Sequence, residues 1–201
     1  MKTIEKPRLI FATNNKHKFE EISHVIGERV ELMRLADIGF NGEIPEEQET
    51  LDGNAAQKAF FIYNLYGIDC FADDTGLEIE ALQGEPGTYS ARYAGKNCNF
   101  EDNMNKVLQK MKGVTNRKAR FRTVIALVEK GSLMLFQGEI RGLITTEKHG
   151  LAGFGYDPIF MPDGYDETFA EMSLAQKNRI SHRALAINEL LRYFTPTPEK
   201  S

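Results

Sequence analysis

The sequence predicts an α/β domain. Three observations carry this reading. Short apolar runs of strand length, such as Arg8–Thr13 and Ile68–Ala72, alternate with stripes at helical spacing, such as Leu51, Ala55, Ala59, Ile62 and Tyr66. The first such pairing reads strand, polar loop, helix. Further on, Ala119–Lys130 and Leu133–Ile140 alternate on either side of Lys130-Gly131-Ser132, the pattern of an antiparallel hairpin.

Composition narrows the class. With 201 residues and a hydrophobic fraction of 41%, the chain can bury a real core as one domain, or as two lobes sharing one sheet. The formal net charge of −4 gives no global positive field, so nucleic acid is not an expected partner. Cys70 and Cys98 have no metal-type spacing and make no disulfide framework; Cys70, in an apolar run, is expected as a buried thiol. Met1–Pro7 lacks an apolar signal core, and no run approaches the ~18 apolar residues of a membrane span. A cytoplasmic protein without membrane contact is expected.

Taken in order, Arg8–Thr13 is a buried first strand. Asn14-Asn15-Lys16-His17-Lys18 follows as a polar loop, then Phe19, Ile22 and Ile26 mark a helix stopped at Gly27. A helix start above a strand end aims backbone N–H groups at an anion, and the lysines add charge. The loop lacks the glycines and the Gly-Lys-Ser/Thr ending of a Walker A loop, so phosphate binding and an ordinary solvated loop both stand. Val30–Leu35 is a weaker strand. Asp37–Glu49 reads as a loop whose Glu43, Glu46, Glu47 and Glu49 form a solvated face or lend one metal ligand. Thr50 caps the second helix, with Asp52 in its first turn and Gly67 at its end. Lys58, on that helix, reads from the pattern alone as facing solvent.

The stretch around Asp73 and Asp74 carries the sharpest chemistry. The run Ile68–Ala72 is expected to end at Asp73-Asp74-Thr75-Gly76, with Leu77–Leu82 a second, alternating strand beyond a turn at Thr75-Gly76. Adjacent carboxylates are costly to desolvate without a compensating cation. A turn and a metal site both explain them. Strand alternation sends Asp73 and Asp74 to opposite sides, so they need not form a dyad.

The remaining elements are a polar and aromatic loop at Thr88–Gly95, a helix capped by Asn99 with core residues Met104, Val107, Leu108 and Met111, and the hairpin. A separate strand is expected at Gly142–Thr145. Gly150–Gly155 is a glycine-dense loop leading to Phe154-Gly155-Tyr156-Asp157-Pro158 and a strand. Two glycines around an aromatic allow close backbone approach to a flat ligand, or make a tight turn. Lys177 lies in a short polar helix. Ser181-His182-Arg183 precedes a last helix packed through Ala184, Ile187, Leu191 and Phe194, and the tail from Thr195 is expected to fray.

Together these motifs resemble the inosine/xanthosine triphosphate pyrophosphatase family. The matching stretches are Thr13–Lys18, Asn54-Ala55 to Lys58, Ala72–Leu77, Pro86–Tyr93, Gly153–Pro158, and Lys177 with Ser181–Arg183. The resemblance implies a homodimeric α/β protein, with a long curved mixed β-sheet flanked by helices and two lobes around a nucleotide-binding cleft. It implies Mg²⁺-dependent hydrolysis of ITP, dITP and XTP to the monophosphate and pyrophosphate. By position, Thr13, Asn14, Asn15, Lys16, His17 and Lys18 would hold the triphosphate, with Asn15 and Lys18 most direct and Lys58 nearby. Glu46 and Asp74 would bind the metal, and Asp74 would accept the proton. Thr75 would lie beside the substrate. Phe154, Gly155, Tyr156, Asp157, Lys177, His182 and Arg183 would bind the base. The chain departs from the family pattern with Asn14 and His17 where glycines are frequent, Gly53 where a glutamate is usual, and Thr75 for serine.

Overall fold

In a computed structural model, described for residues 6–26, 29–96 and 99–194, the chain forms an α/β fold with six strands and five α-helices among those residues. The elements are β1 Arg8–Phe11, α1 Lys16–Ile26, β2 Glu31–Met33, α2 Leu51–Tyr66, β3 Cys70–Ile79, α3 Phe100–Lys110, β4 Lys118–Glu129, β5 Ser132–Ile144, β6 Phe160–Pro162, α4 Leu174–Ile180 and α5 His182–Phe194. Gly27, Cys98, the first residues Met1–Glu5 and the tail from Thr195 lie outside the described residues.

The strands run in the order β2-β1-β3-β4-β5-β6. β1 pairs parallel with β2 and β3, while β6 is antiparallel to β5, so the sheet is mixed. The chain divides into two compact units, Met1–Asp74 with Val124–Gln137 and Ala184–Ser201, and Thr75–Thr123 with Gly138–Arg183.

In the first unit the sheet is covered on both faces. Phe11, Phe71, Ile125 and Leu127 pack with Ile22 and Ile26 of α1 and Ile187 and Leu190 of α5. The alternate residues Ile10, Cys70, Ala72, Val124, Ala126 and Val128 pack with Leu51, Ala55, Ala59 and Ile62 of α2. Two covered faces explain why residues 124–128 are all buried, where one-sided alternation was expected. Each fully buried Ile or Leu contributes about 1.5–3 kcal/mol. Thr50 caps α2 by accepting the Gly53 N–H at 3.0 Å, as its sequence predicts.

The second unit is built on Leu77, Ile79, Phe121, Ile144, Phe160 and Phe169, with Met104, Val107 and Met111 of α3. Asn99 and Asp102 form the capping box of α3. Lys130 and Gly131 both have positive φ and join β4 to β5 by a two-residue connection, matching the expected hairpin.

Several boundaries differ from expectation. The largest is in β3, which does not stop at Ala72. It continues through Asp73, Asp74, Thr75 and Gly76 to Ile79, and Glu80–Leu82 form a 3-10 turn. Polar residues persist in this strand because partners on the helices and on β4 satisfy them. Gly76 is explained by close approach: a Cβ there would stand 2.7 Å from the Gly87 carbonyl oxygen. Likewise Gly142–Ile144 belong to β5, because Gly142 allows β6 to approach; a Cβ at Gly142 would meet the Met161 carbonyl at 2.2 Å. Lys16, His17 and Lys18 already belong to α1, and His182 and Arg183 to α5. Leu35–Ile38 and Gly87–Arg92 are 3-10 turns inside stretches read as loops.

Candidate active site

In the first unit, β3 presents its two aspartates to different helices. Asp73 has the parity of Phe71, which packs towards α1, and its carboxylate meets Lys18 of α1 at 3.0 Å. Asp74 has the parity of Cys70 and Ala72, which pack towards α2, and meets residues of α2. Both aspartates are buried, at 1% and 7% exposure. The adjacent acids are therefore two separately compensated charges.

Asp74 is held by two donors. The Asn54 amide nitrogen donates to Asp74 Oδ2 at 3.1 Å, and the Lys58 ammonium lies 3.4 Å from Oδ1. The same ammonium meets Glu46 Oε1 at 2.5 Å. Lys58 is thus buried between two carboxylates rather than facing solvent, because α2 turns this position towards β3.

One ammonium serving two acids sets the electrostatics. Burial pushes the Asp74 carboxyl above the usual range, and Lys58, Lys18 and Asn54 offset only part of that. Burial also opposes the charge on Glu46, but the nearer Lys58 outweighs it and holds Glu46 below the usual range. Burial opposes the charge on Lys58 too, and Asp74 and Glu46 more than offset it, so its pKa is raised. A carboxylate with an elevated pKa beside a cation is suited to general-base work.

The start of α1 is organised by Asn15. Its side-chain oxygen accepts the Lys18 N–H at 3.2 Å, and its own N–H reaches Thr13 Oγ1 at 3.2 Å. Asn14 turns away and donates to the Gly42 carbonyl at 3.0 Å. Lys16 and His17 are exposed on the first turn.

A second set lies in the second unit. The Asp157 carboxylate accepts the Phe154 N–H at 2.8 Å and pairs with the buried Lys177 ammonium at 2.7 Å. Gly153 is required twice here: its φ is +75°, and a Cβ would meet Asp157 Oδ2 at 2.2 Å. The Lys177 and Arg183 cations stand 5.2 and 5.4 Å from the Phe154 ring centroid. Arg183 reaches Thr75 Oγ1 at 3.4 Å, and that hydroxyl is paired with Thr123 Oγ1 at 2.7 Å. Tyr156 donates its hydroxyl to the Ser90 carbonyl at 2.8 Å, and the His182 ring stacks on Phe121 at 4.5 Å. Gly155 has a φ of +66° and completes the turn.

A family model described as the Ham1 family matches residues 9–193. The chain belongs to the Ham1 family. It is 51% identical over 188 residues to a dITP/XTP pyrophosphatase of Christiangramia forsetii, covering 94% of this chain and 99% of that one. A dITP/XTP pyrophosphatase of Porphyromonas gingivalis is 52% identical, covering 91% and 95%. Among solved structures, the Staphylococcus aureus Ham1 protein superposes with a TM-score of 0.84 at 36% identity, covering 93% of this chain and 97% of that one. A Coxiella burnetii HAM1 protein superposes at 0.86 and 33%, covering 94% and 98%.

In this Ham1 chain the first unit brings together Lys18, Asp73, Asp74, Glu46 and Lys58. The second unit brings together Thr75, Phe154, Asp157, Lys177 and Arg183. The side chains of Tyr156 and His182 are engaged in its core. Among the described residues no group of three or more His, Cys, Asp or Glu is placed to hold a metal ion. Two residues escaped the pattern reading. Asn54 was legible only as part of a motif, and Thr123 only as a polar break in an apolar strand.

Proposed function

We propose that this Ham1 protein hydrolyses deaminated purine nucleoside triphosphates, ITP, dITP and XTP, to the monophosphate and pyrophosphate. In this reading residues 1–201 act as one functional domain. The observation that carries it is the buried cation held between Glu46 and Asp74. Glu46 and Asp74 are hard oxygen donors brought to one cation, and they are the residues that would hold a divalent metal. Mg²⁺ binds through one or two carboxylates and fills its shell with water and substrate phosphates, so two protein ligands suffice. When bound there, Mg²⁺ supplies charge neutralisation of the phosphates.

The protein's own groups do the rest. Asp74, on a rigid strand, orients and deprotonates the attacking water. Lys18, Lys58 and the α1 start around Thr13 and Asn15 offset the polyanion. Attack at the α-phosphorus with pyrophosphate leaving needs in-line geometry and charge stabilisation, without a covalent nucleophile. In the second set Phe154 takes the base on its ring face. Arg183 or backbone donors pair with the 6-oxygen of hypoxanthine or xanthine and are stranded against the 6-amino group of adenine. A site built around such a bond can reject the wrong partner by ~10⁴-fold.

The dITP/XTP pyrophosphatase relatives support this reading. A homodimer in the cytoplasm belongs to the same proposal, and light scattering is expected to give twice the chain mass. No described helix is long and apolar enough to cross a membrane. The deciding experiment is a triphosphate panel with pyrophosphate detection, with and without Mg²⁺. Turnover of dITP, ITP and XTP only with Mg²⁺ is expected. Asp74→Asn is expected to lose about 10²–10⁴-fold in turnover. Its melting midpoint should fall less than that of a variant lacking the ammonium, since Lys58 keeps its contact to Glu46. Near-normal turnover in Asp74→Asn overturns the assignment. Binding of ITP without pyrophosphate release would mark a binding module instead.

A further inference from the structure

We propose that Asn54 is a positioning residue whose buried amide fixes the Asp74 carboxylate at one end and the loop carrying Glu46 at the other. This rests on the roles given to Asp74 and Glu46 above.

Asn54 sits in the first turn of α2 and is 1% exposed. Its Nδ2 donates to Asp74 Oδ2 at 3.1 Å, and its Oδ1 accepts the Gln48 N–H at 2.9 Å. An amide has one donor end and one acceptor end. Here each end faces the only kind of partner it can serve. A flip would set oxygen against carboxylate and NH₂ against N–H, so the orientation is fixed.

Two consequences follow. With Oδ2 engaged, the other oxygen of Asp74 is the one that faces Lys58, and Lys58 also holds Glu46. The amide thereby fixes the rotation of the Asp74 carboxylate so that one oxygen is turned to the shared cation position. The second consequence concerns the loop. Gln48 lies two residues after Glu46, and the Glu47 N–H also donates to Gln57 Oε1 on α2 at 2.9 Å. Two α2 side chains therefore accept backbone N–H groups of the acidic loop, beside the Lys58–Glu46 contact. Gly53 permits this contact, since a Cβ there would stand 2.8 Å from the Gln48 Cβ. The glycine that departs from the family pattern is thus the residue over which this loop lies.

Partners that orient catalytic or metal-binding carboxylates typically alter activity 10–100-fold when removed. The test uses the full chain, steady-state dITP hydrolysis at saturating Mg²⁺, and amide hydrogen exchange at Gln48 by NMR. Asn54→Ala loses both arms. A fall in kcat of about 10–100-fold with KM changed less than about threefold is expected, together with loss of Gln48 amide protection. Asn54→Leu keeps the volume and also loses both arms, so it keeps the test open where the alanine variant does not fold. A folded Asn54→Leu with kcat within about twofold of wild type overturns the proposal, as does unchanged Gln48 protection in either variant. Wild-type protein inactive on the whole triphosphate panel overturns the parent reading instead, and this proposal with it.

Discussion

Replacing Lys58 by methionine tests the charge balance most directly. The change keeps the length and the apolar stem and removes the ammonium. Lys58 has a side chain 6% exposed between Glu46, whose side chain is 34% exposed, and Asp74 at 10%. Water takes over the Glu46 arm, which is therefore worth little. Asp74 keeps its Asn54 bond and loses its ammonium. Breaking a buried pair by removing one partner costs about 3–5 kcal/mol. The long 3.4 Å contact and the retained Asn54 bond put the expected loss near the lower end, about 3 kcal/mol. For a chain of this size each kcal/mol shifts the midpoint by about 2–4 °C, so a fall of about 6–12 °C is expected. The pH dependence has a definite sign. Asp74 already has a raised pKa because of burial, and removing Lys58 raises it further. The folded state then holds a proton that the unfolded state has released, so stability is lost as pH rises through the folded pKa. The deficit against wild type should be larger at neutral pH than at a pH in the ordinary carboxylate range. Mg²⁺ is expected to restore part of the variant's midpoint. Thermal melts at both pH values, with and without Mg²⁺, measure this. A variant midpoint within about 2 °C of wild type at the higher pH, with no gain from Mg²⁺, refutes the reasoning.

Three further outcomes are expected. Arg183→Ala should collapse the ratio of dITP to dATP turnover, and an unchanged ratio rejects the selectivity account. Gly76→Ala should destabilise the fold by about 1–3 kcal/mol, because its Cβ would press on the Gly87 carbonyl at 2.7 Å; denaturant titration measures this, and a neutral result removes the close-approach explanation. Burial pushes the Cys70 thiol up to about 12, so in a Cys98→Ser background it should resist a thiol reagent at neutral pH until the chain unfolds. Rapid labelling of the native protein would contradict that. The unfolded thiol ionises first, so Cys70 also makes stability fall as pH rises from the ordinary thiol range towards 12.

Much of the fold was legible because the signals were local. The Thr50 and Asn99 caps, the Lys130-Gly131 turn and the α2 stripe each depend on residues a few positions apart. The site was legible as a set of motifs, but its wiring was not. Lys58 was expected near the phosphates from its motif, but its two carboxylate partners were not legible, because nothing in α2 reveals which face meets a strand carrying acids. The Asp73-Asp74-Thr75-Gly76 stretch looked like a turn because polar residues and glycine favour turns when nothing satisfies them. Lys18, Lys58, Asn54 and Thr123 satisfy them from other elements, and Gly76 answers to Gly87, eleven residues on. Such long-range partners leave no periodic trace. The opposite sides of Asp73 and Asp74 were legible, because a strand's alternation needs only the strand.

The unbroken course of β3 has a consequence for motion. Asp73 and Asp74 sit mid-strand rather than at a fraying end, so their amides should exchange only in the rarest, most global openings. Local breathing of the strand then does not move Asp74. Compliance has to come from the segments that meet it, the Glu46 loop above all, whose grip on α2 rests on side-chain hydrogen bonds. The protein thereby separates a stationary anvil from the parts that yield, and variants of the loop should change opening rates while leaving the acid where it stands.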